Sequence, residues 1–248
     1  MQDLLFHCSK SDTFLINFTT ANTLASIKNT FVYALSSSVL NVTLSFFLAV
    51  FLTSGLKTQN FLRSIVFFPN VVSTVAIAIT FSALMHPTKG LINKGLAFFG
   101  IHGPDWLGNP KVAMIAVIIV DVWKRVGISA LICVAGILAI DRSYYEAAEV
   151  DGATGLQKLF KITLPLSLSS LNTVIILSLI IGLRVFDTIW VMTAGGPGNA
   201  TEVFGTMVYR QYGAGYYGLS TAGNVILFLI VAIIIYPLQR YLTGKEVE

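Results

Sequence analysis

Charge is scarce in this sequence. Asp, Glu, Lys and Arg make up 11% of its 248 residues, against about 25% in an average soluble domain. So little solvating charge excludes a disordered chain and argues against an ordinary soluble globule. Cysteine is scarcer still. Cys8 and Cys133 cannot build a disulfide framework, and Cys133 lies in an apolar run, where it reads as a small buried hydrophobe. The cations behind the net charge of +4 are scattered singly or in pairs. No basic run can track a phosphate backbone, so nothing signals a nucleic-acid partner. His7, His86 and His102 are far apart, and without metal-ligand spacing no metal site is expected. No nucleophile and base stand together either, so the chain is not expected to be an enzyme. There is no G-x4-G-K-[ST] phosphate loop, because Gly244-Lys245 is followed by Glu246; ATP hydrolysis by that route is excluded. The N-terminus has no basic stretch leading into an apolar core, hence no visible signal peptide.

What the chain has in abundance is long apolar runs, with 55% hydrophobic residues. A helix crossing a bilayer needs about 20 mostly apolar residues, because its backbone must satisfy its own hydrogen bonds there. Residues 29–56, 64–88, 162–183 and 211–239 qualify without an acid or a cation inside the apolar stretch, and 112–140 is long enough but carries Asp121, Lys124 and Arg125. None alternates as a barrel strand would. The expected fold is an all-α integral membrane protein, a bundle of five transmembrane helices. Residues 1–28 read as a polar outer segment, 29–240 as the transmembrane domain and 241–248 as a cytoplasmic tail. Segments 86–111 and 190–218 are rich in glycine and read as loops, the second with interfacial aromatics such as Trp190 and Tyr209. Lys and Arg divide almost evenly between the two sides. The short turn holding Lys57 and Arg63 tips that side toward the cytoplasm.

Segment 141–165 reads DRSYYEAAEVDGATGLQKLFKITLP. Ser143 is placed to cap a helix whose third residue on is Glu146, a capping-box spacing. Gly152 and Gly155 then break it, and an amphipathic piece leads to Leu164-Pro165, where proline suits a first helical turn. A short helix-turn-helix outside the bilayer is expected. Its elements also fall at fixed spacing: Glu146-Ala147-Ala148, three residues, Gly152, nine residues, Ile162, one residue, Leu164-Pro165. This EAA-x3-G-x9-I-x-LP pattern resembles the permease subunits of binding-protein-dependent ABC importers. Further stretches are similar to the sugar-transporting branch that contains maltose and glycerol-phosphate permeases. They are Asn29-Thr30-Phe31, Phe68-Pro69, Val122-Trp123, Asp151-Gly152-Ala153, and Phe186-Asp187 followed by Thr193-Ala194-Gly195-Gly196-Pro197-Gly198.

The resemblance implies a six-helix importer core that here lacks its first helix, either because the subunit is naturally short or because its start is truncated, the reading we favour. It implies a multi-pass subunit of a bacterial cytoplasmic membrane that binds no cofactor itself, while ATP and Mg sit in partner subunits. The implied partners are a second, related permease, two cytoplasmic ATP-binding subunits, an extracytoplasmic solute-binding protein, a sugar and membrane lipid. Glu146, Ala147, Ala148, Asp151 and Gly152 would couple to the ATP-binding subunit, and Gly195, Gly196, Pro197 and Gly198 would touch the binding protein. Beside the resemblance, charges at bilayer depth face cavities or partners, because lipid exposure costs about 2.5–3.5 kcal/mol. Asp121, Lys124 and Arg125 can share one helix face with Trp123 beside them, and Arg184 and Asp187 are three apart. Each set reads either as a wall of the solute pathway or as structural pairing. Asn41, Asn70, Asn172 and Asn224 read as sugar hydrogen-bonders or interhelical contacts. The other readings are a permease for an amino acid or phosphate, and a membrane scaffold.

Overall fold

The computed structural model describes residues 21–54 and 58–244. Most of the expected N-terminal segment, the turn residues 55–57 and the last four residues of the tail lie outside them, as do His7, Cys8 and Lys57. Every regular element among the described residues is helical.

The first helix, α1 (Ala21–Leu52), begins well before the expected start at residue 29 and carries Lys28 within it. The second apolar run is not one rod. It divides into α2 (Gln59–Val71) and α3 (Thr74–Leu84), which meet at 94°. Pro69 in the last turn of α2 has no N–H for the helical ladder, and Val72 leaves the helix in an extended conformation with ψ of 142°. A short α4 (Leu91–Phe98) stands inside the segment expected to be a loop. Its buried Asn93 explains it: the side-chain amide donates to the carbonyls of Pro87 and Pro104 at 3.0 Å each, and its oxygen accepts Trp106 Nε1 at 2.7 Å. Then α5 (Ala113–Leu138) runs unbroken, and α6 (Arg142–Val150) follows. The next helix, α7 (Gly155–Leu166), widens to a π turn over Leu159–Thr163 and joins α8 (Leu168–Leu183) at 69°. So the expected continuous run 162–183 is bent, with Pro165 just before the bend. A short helix α9 (Asp187–Met192) runs into the second expected loop, α10 (Phe204–Gly213) lies within it, and α11 (Tyr217–Gly244) is the last described element.

By length and apolar composition, α1 and α11 each qualify to cross a membrane, and the bent pairs α2–α3 and α7–α8 raise the number to four. The 26-residue α5 is long enough but has Asp121, Lys124 and Arg125 near its middle.

The chain divides into two units. One holds Met1–Ala34, Thr74–Val120 and Gly182–Ala232, of which 21 onward are described. In it α9 packs on α3, with Ile189 fully buried. Gly182 sits so close to α1 that a Cβ there would lie 2.8 Å from Ala34 Cα. Lipid tails are as apolar as leucine, so helices in a bilayer associate through such close packing rather than by escape from water.

The other unit holds Leu35–Ser73, Asp121–Ile181 and Ile233–Glu248. Its core joins Phe46, Ala49 and Leu52 of α1 to Cys133, Val134 and Ile137 of α5 and Leu171 and Val174 of α8. Asn41 adds a polar tie: its amide donates to Ser129 Oγ at 2.7 Å and Ser178 Oγ at 2.8 Å, all buried. Interhelical hydrogen bonds of this kind are worth roughly 0.6 kcal/mol each. Asn41 therefore contributes structure.

Candidate functional site

The EAA segment folds into an elbow within the second unit. Asp141, not Ser143, is the N-cap of α6. Its backbone is extended and its carboxylate accepts the Ser143 N–H at 2.8 Å. Hydrogen bonds from Ser143, the backbone one foremost, hold that carboxyl below its usual range. Glu146 consequently has no capping role. It lies 3.6 Å from Arg142, both side chains in water, where an ion pair adds little. Helix α6 ends in a Schellman motif: Gly152 N–H donates to the Glu149 carbonyl at 3.1 Å and Ala153 N–H to the Ala148 carbonyl at 2.9 Å. That closure requires a left-handed residue, and Gly152 supplies it with φ of +70°. Two residues later Thr154 starts α7 with a capping box. Its N–H donates to Gln157 Oε1 at 2.7 Å while Gln157 N–H donates back to its hydroxyl at 3.4 Å.

Two contacts hold the arms of the elbow together. Lys158 Nζ donates to Glu149 Oε1 at 2.9 Å, and the Tyr145 and Thr163 hydroxyls meet at 3.0 Å. The hydrogen bond from Lys158, with its charge, keeps the Glu149 carboxyl ionised to lower pH than usual. Glu146, Ala147, Asp151 and Gly152 are exposed and Ala148 is half-buried. Apolar side chains face out with them: Val150 is 88% exposed, Leu156 70% and Phe160 57%. A charged helix with small alanines, ringed by uncovered apolar groups, has the chemistry of a docking surface.

The charges of α5 separate into two environments. Asp121 and Arg125 pair one turn apart and are buried. Arg125 Nε and Nη1 have no hydrogen-bond partner among the described residues. Lys124 is half-buried and Trp123 is 46% exposed, and the ion pair joins Asp121 to Arg125.

Arg184 and Asp187, in the first unit, are both exposed, and no ion pair joins them. Only Arg184 lines a cavity of about 690 Å³, together with Phe186, Tyr209, Tyr212, Ser220 and Asn224. Phe186 stacks on Trp190 with ring centres 5.8 Å apart, and Tyr209 closes on both, 5.0 and 4.8 Å away. Of the aromatics expected as interfacial anchors, Tyr209 lines this cavity, and Trp190 packs on Phe186 and Tyr209 without lining it.

The Gly195–Gly198 turn is braced rather than slack. Asn29 of α1 aims its amide at three carbonyls, Asn199 at 3.2 Å, Ala200 at 3.4 Å and Glu202 at 3.0 Å. Thr30 Oγ1 accepts the Phe204 N–H at 2.9 Å. Arg210 donates to the Ala194 carbonyl and to Glu202, both at 2.8 Å. Burial pushes the Glu202 carboxyl up, against the pull of Arg210 and Thr206. The Thr201 hydroxyl donates to the Gly196 carbonyl at 2.6 Å. Asn29 and Thr30 belong to a stretch whose type was visible in the sequence while its task was not. Glu202 and Arg210 carried no signal there at all.

Removing the Asn29 amide takes a donor from three exposed or part-buried carbonyls, of which Asn199 keeps the Glu202 N–H at 3.2 Å, at about 0.5–1.5 kcal/mol for each bond lost. In Asn29→Ala, amide exchange across 194–202 is expected to quicken about tenfold. Unchanged protection would show that the loop stands without this brace.

A family model described as binding-protein-dependent transport system inner membrane component matches residues 16–245. The trehalose/maltose transport system permease protein of Thermococcus litoralis is 39% identical over 183 residues, covering 74% of this chain and 62% of that relative. The chain thus spans 62% of that relative's length. The sn-glycerol-3-phosphate transport system permease protein of Escherichia coli O6:K15:H31 is 32% identical over 217 residues, covering 84% of this chain and 71% of the relative. Among solved structures, a chain of a bacterial ABC transporter involved in the import of the acidic polysaccharide alginate superposes with a TM-score of 0.85. It is 24% identical, over 94% of this chain and 83% of that one, and the likeness is one of fold.

Proposed function

Because this chain belongs to the family of binding-protein-dependent transport system inner membrane components, we propose that it is a transmembrane permease subunit of an ABC importer for carbohydrates or their derivatives. Five spans serve the reading: α1, the bent pair α2–α3, α5, the bent pair α7–α8, and α11. A second, related permease completes the pathway. Two cytoplasmic subunits bind and hydrolyse ATP, and an extracytoplasmic protein delivers the solute. The membrane is a bacterial cytoplasmic one. Relatives named for trehalose/maltose and for sn-glycerol 3-phosphate support a polyhydroxylated solute.

The observation that carries the reading is the exposed elbow with its EAA face and uncovered Val150, Leu156 and Phe160. ATP closes the two nucleotide subunits, each drags a docked elbow with it, and the permease pair rocks between its two openings. Moving such an equilibrium from 1:99 to 99:1 takes about 5.5 kcal/mol. All of it must pass through the elbow contacts, so the elbow has to be stiff. The Lys158–Glu149 and Tyr145–Thr163 ties answer that need. The braced turn at Gly195, Gly196, Pro197 and Gly198 suits a contact with the delivering protein, and Arg184 at its cavity suits the pathway.

A single cysteine placed at Ala147 tests the reading in membranes holding the assembled complex. It is expected to crosslink to a nucleotide-hydrolysing subunit, in a yield that changes between nucleotide-free and ATP-bound states. A crosslink only to extracytoplasmic protein, or none to any nucleotide-hydrolysing partner, would overturn it.

A further inference from the structure

The relatives leave the charge of the solute open, one being named for neutral sugars and the other for a phosphate ester. The cavity of the first unit narrows it. Among its described lining residues Arg184 is the one charged group, and no carboxylate lines the space. The nearest acid in sequence, Asp187, is exposed and unpaired with it, and Glu202 is engaged by Arg210. Arginine stays protonated at any physiological pH and offers a planar fork of donors suited to two oxygens of one anion. Beside it stand the aromatic wall of Phe186 and Tyr209, the hydroxyls of Tyr212 and Ser220, and Asn224. The Asn224 amide already donates to the Ser220 carbonyl at 3.2 Å, which leaves its oxygen free to accept from a hydroxyl. At about 690 Å³ the space falls among pockets that hold small solutes.

We propose that this cavity is a subsite for an anionic carbohydrate, in which Arg184 takes a carboxylate or phosphate while Phe186 and Tyr209 flank the ring. The proposal rests on the transport reading above and adds the charge of the cargo. Arg184 is exposed and hydrated when the cavity is empty, so what it reads is the charge-assisted bond an anion can add. A neutral sugar leaves the guanidinium without its counter-charge, whereas an acid forms charge-assisted hydrogen bonds about twice as strong as neutral ones.

The test uses the assembled importer in phosphatidylcholine nanodiscs, with methyl glucuronide and methyl glucoside as matched probes and calorimetry as readout. The glucuronide is expected to bind at least about tenfold more tightly. Arg184→Gln should erase that preference and Arg184→Lys should keep part of it, because charge rather than shape is read. Equal binding of the two glycosides overturns the charge assignment and leaves the transport reading standing. Binding of neither, in a complex whose ATPase still responds to the delivering protein, overturns the cavity as a solute subsite. A lipid phosphate is the rival source of the same chemistry. If phosphatidylglycerol doped into the discs is retained by the native protein, is lost in Arg184→Gln, and no glycoside binds, the cation is a headgroup site and the proposal fails.

Discussion

Replacing Gly152 with alanine is expected to strip the ATP-binding subunit that we propose docks on the elbow, while leaving insertion in the membrane intact. The turn places Gly152 at φ of +70°, where a Cβ meets the backbone, at a cost of about 1–2 kcal/mol. Nothing else lies within 4 Å of the position a Cβ would take. The penalty is therefore conformational, not a clash. Relieving it unwinds the closing hydrogen bonds of Gly152 and Ala153 and re-aims the end of α6, with Val150 and Asp151 on it. Since about 1.4 kcal/mol is a factor of ten in an equilibrium constant, co-purification of the ATP-binding subunit should fall about tenfold, and transport with it. Asparagine visits the left-handed region far more readily, and the space is open, so Gly152→Asn should retain most of the binding. The idea is sunk if alanine binds like the native residue, or if asparagine is as damaging as alanine.

Asp121→Asn should be the most damaging single change to folding. Asp121 and Arg125 are 6% exposed each and neutralise one another inside the second unit. Arg125 already has two nitrogens without a partner, so its charge depends on that one carboxylate. Removing one member of a buried pair costs about 3–5 kcal/mol, a large part of the stability of most domains. Detergent-purified Asp121→Asn is expected to melt far below the native protein, and its abundance in membranes should drop severalfold. Taking out both charges in an Asp121→Leu, Arg125→Met double variant should restore most of the loss, because apolar replacements of similar volume are tolerated where a lone charge is not. Native-like melting of Asp121→Asn, or no recovery in the double variant, would place the pair elsewhere than at the centre of this unit's stability.

The helices that can cross a membrane were legible as apolar runs, and the elbow was legible from residue spacing alone. Other features were hidden for physical reasons. Hydropathy counts side chains and does not register backbone direction, so 64–88 reads as one span although the chain turns by 94° after Val71; Pro69 was the clue. At α6 a serine two residues inside looked like the cap, because Ser143 and Asp141 are both good capping types and only the extended backbone of Asp141 decides between them. The Thr154-x-x-Gln157 box was present in plain letters and marks the start of α7. Glycine content made 86–111 and 190–218 look unstructured, yet α4 is held by tertiary hydrogen bonds of Asn93 and α10 by the framework around Glu202 and Arg210. The cavity was least legible. Arg184 stands 25 residues before Tyr209 and Tyr209 15 before Asn224, and no local pattern announces that they share one space.

The end of α6 and the start of α7 abut: Ala153 completes the Schellman closure, and the next residue, Thr154, opens the capping box. The backbone donors of residues 151–154, 157 and 158 all have partners. A partner subunit therefore meets a finished shape and need not mould it, so almost no disorder has to be surrendered at the moment of contact. Capture should run at the pace of rigid-body collision, with variants of the surface altering how long the two stay together far more than how fast they meet.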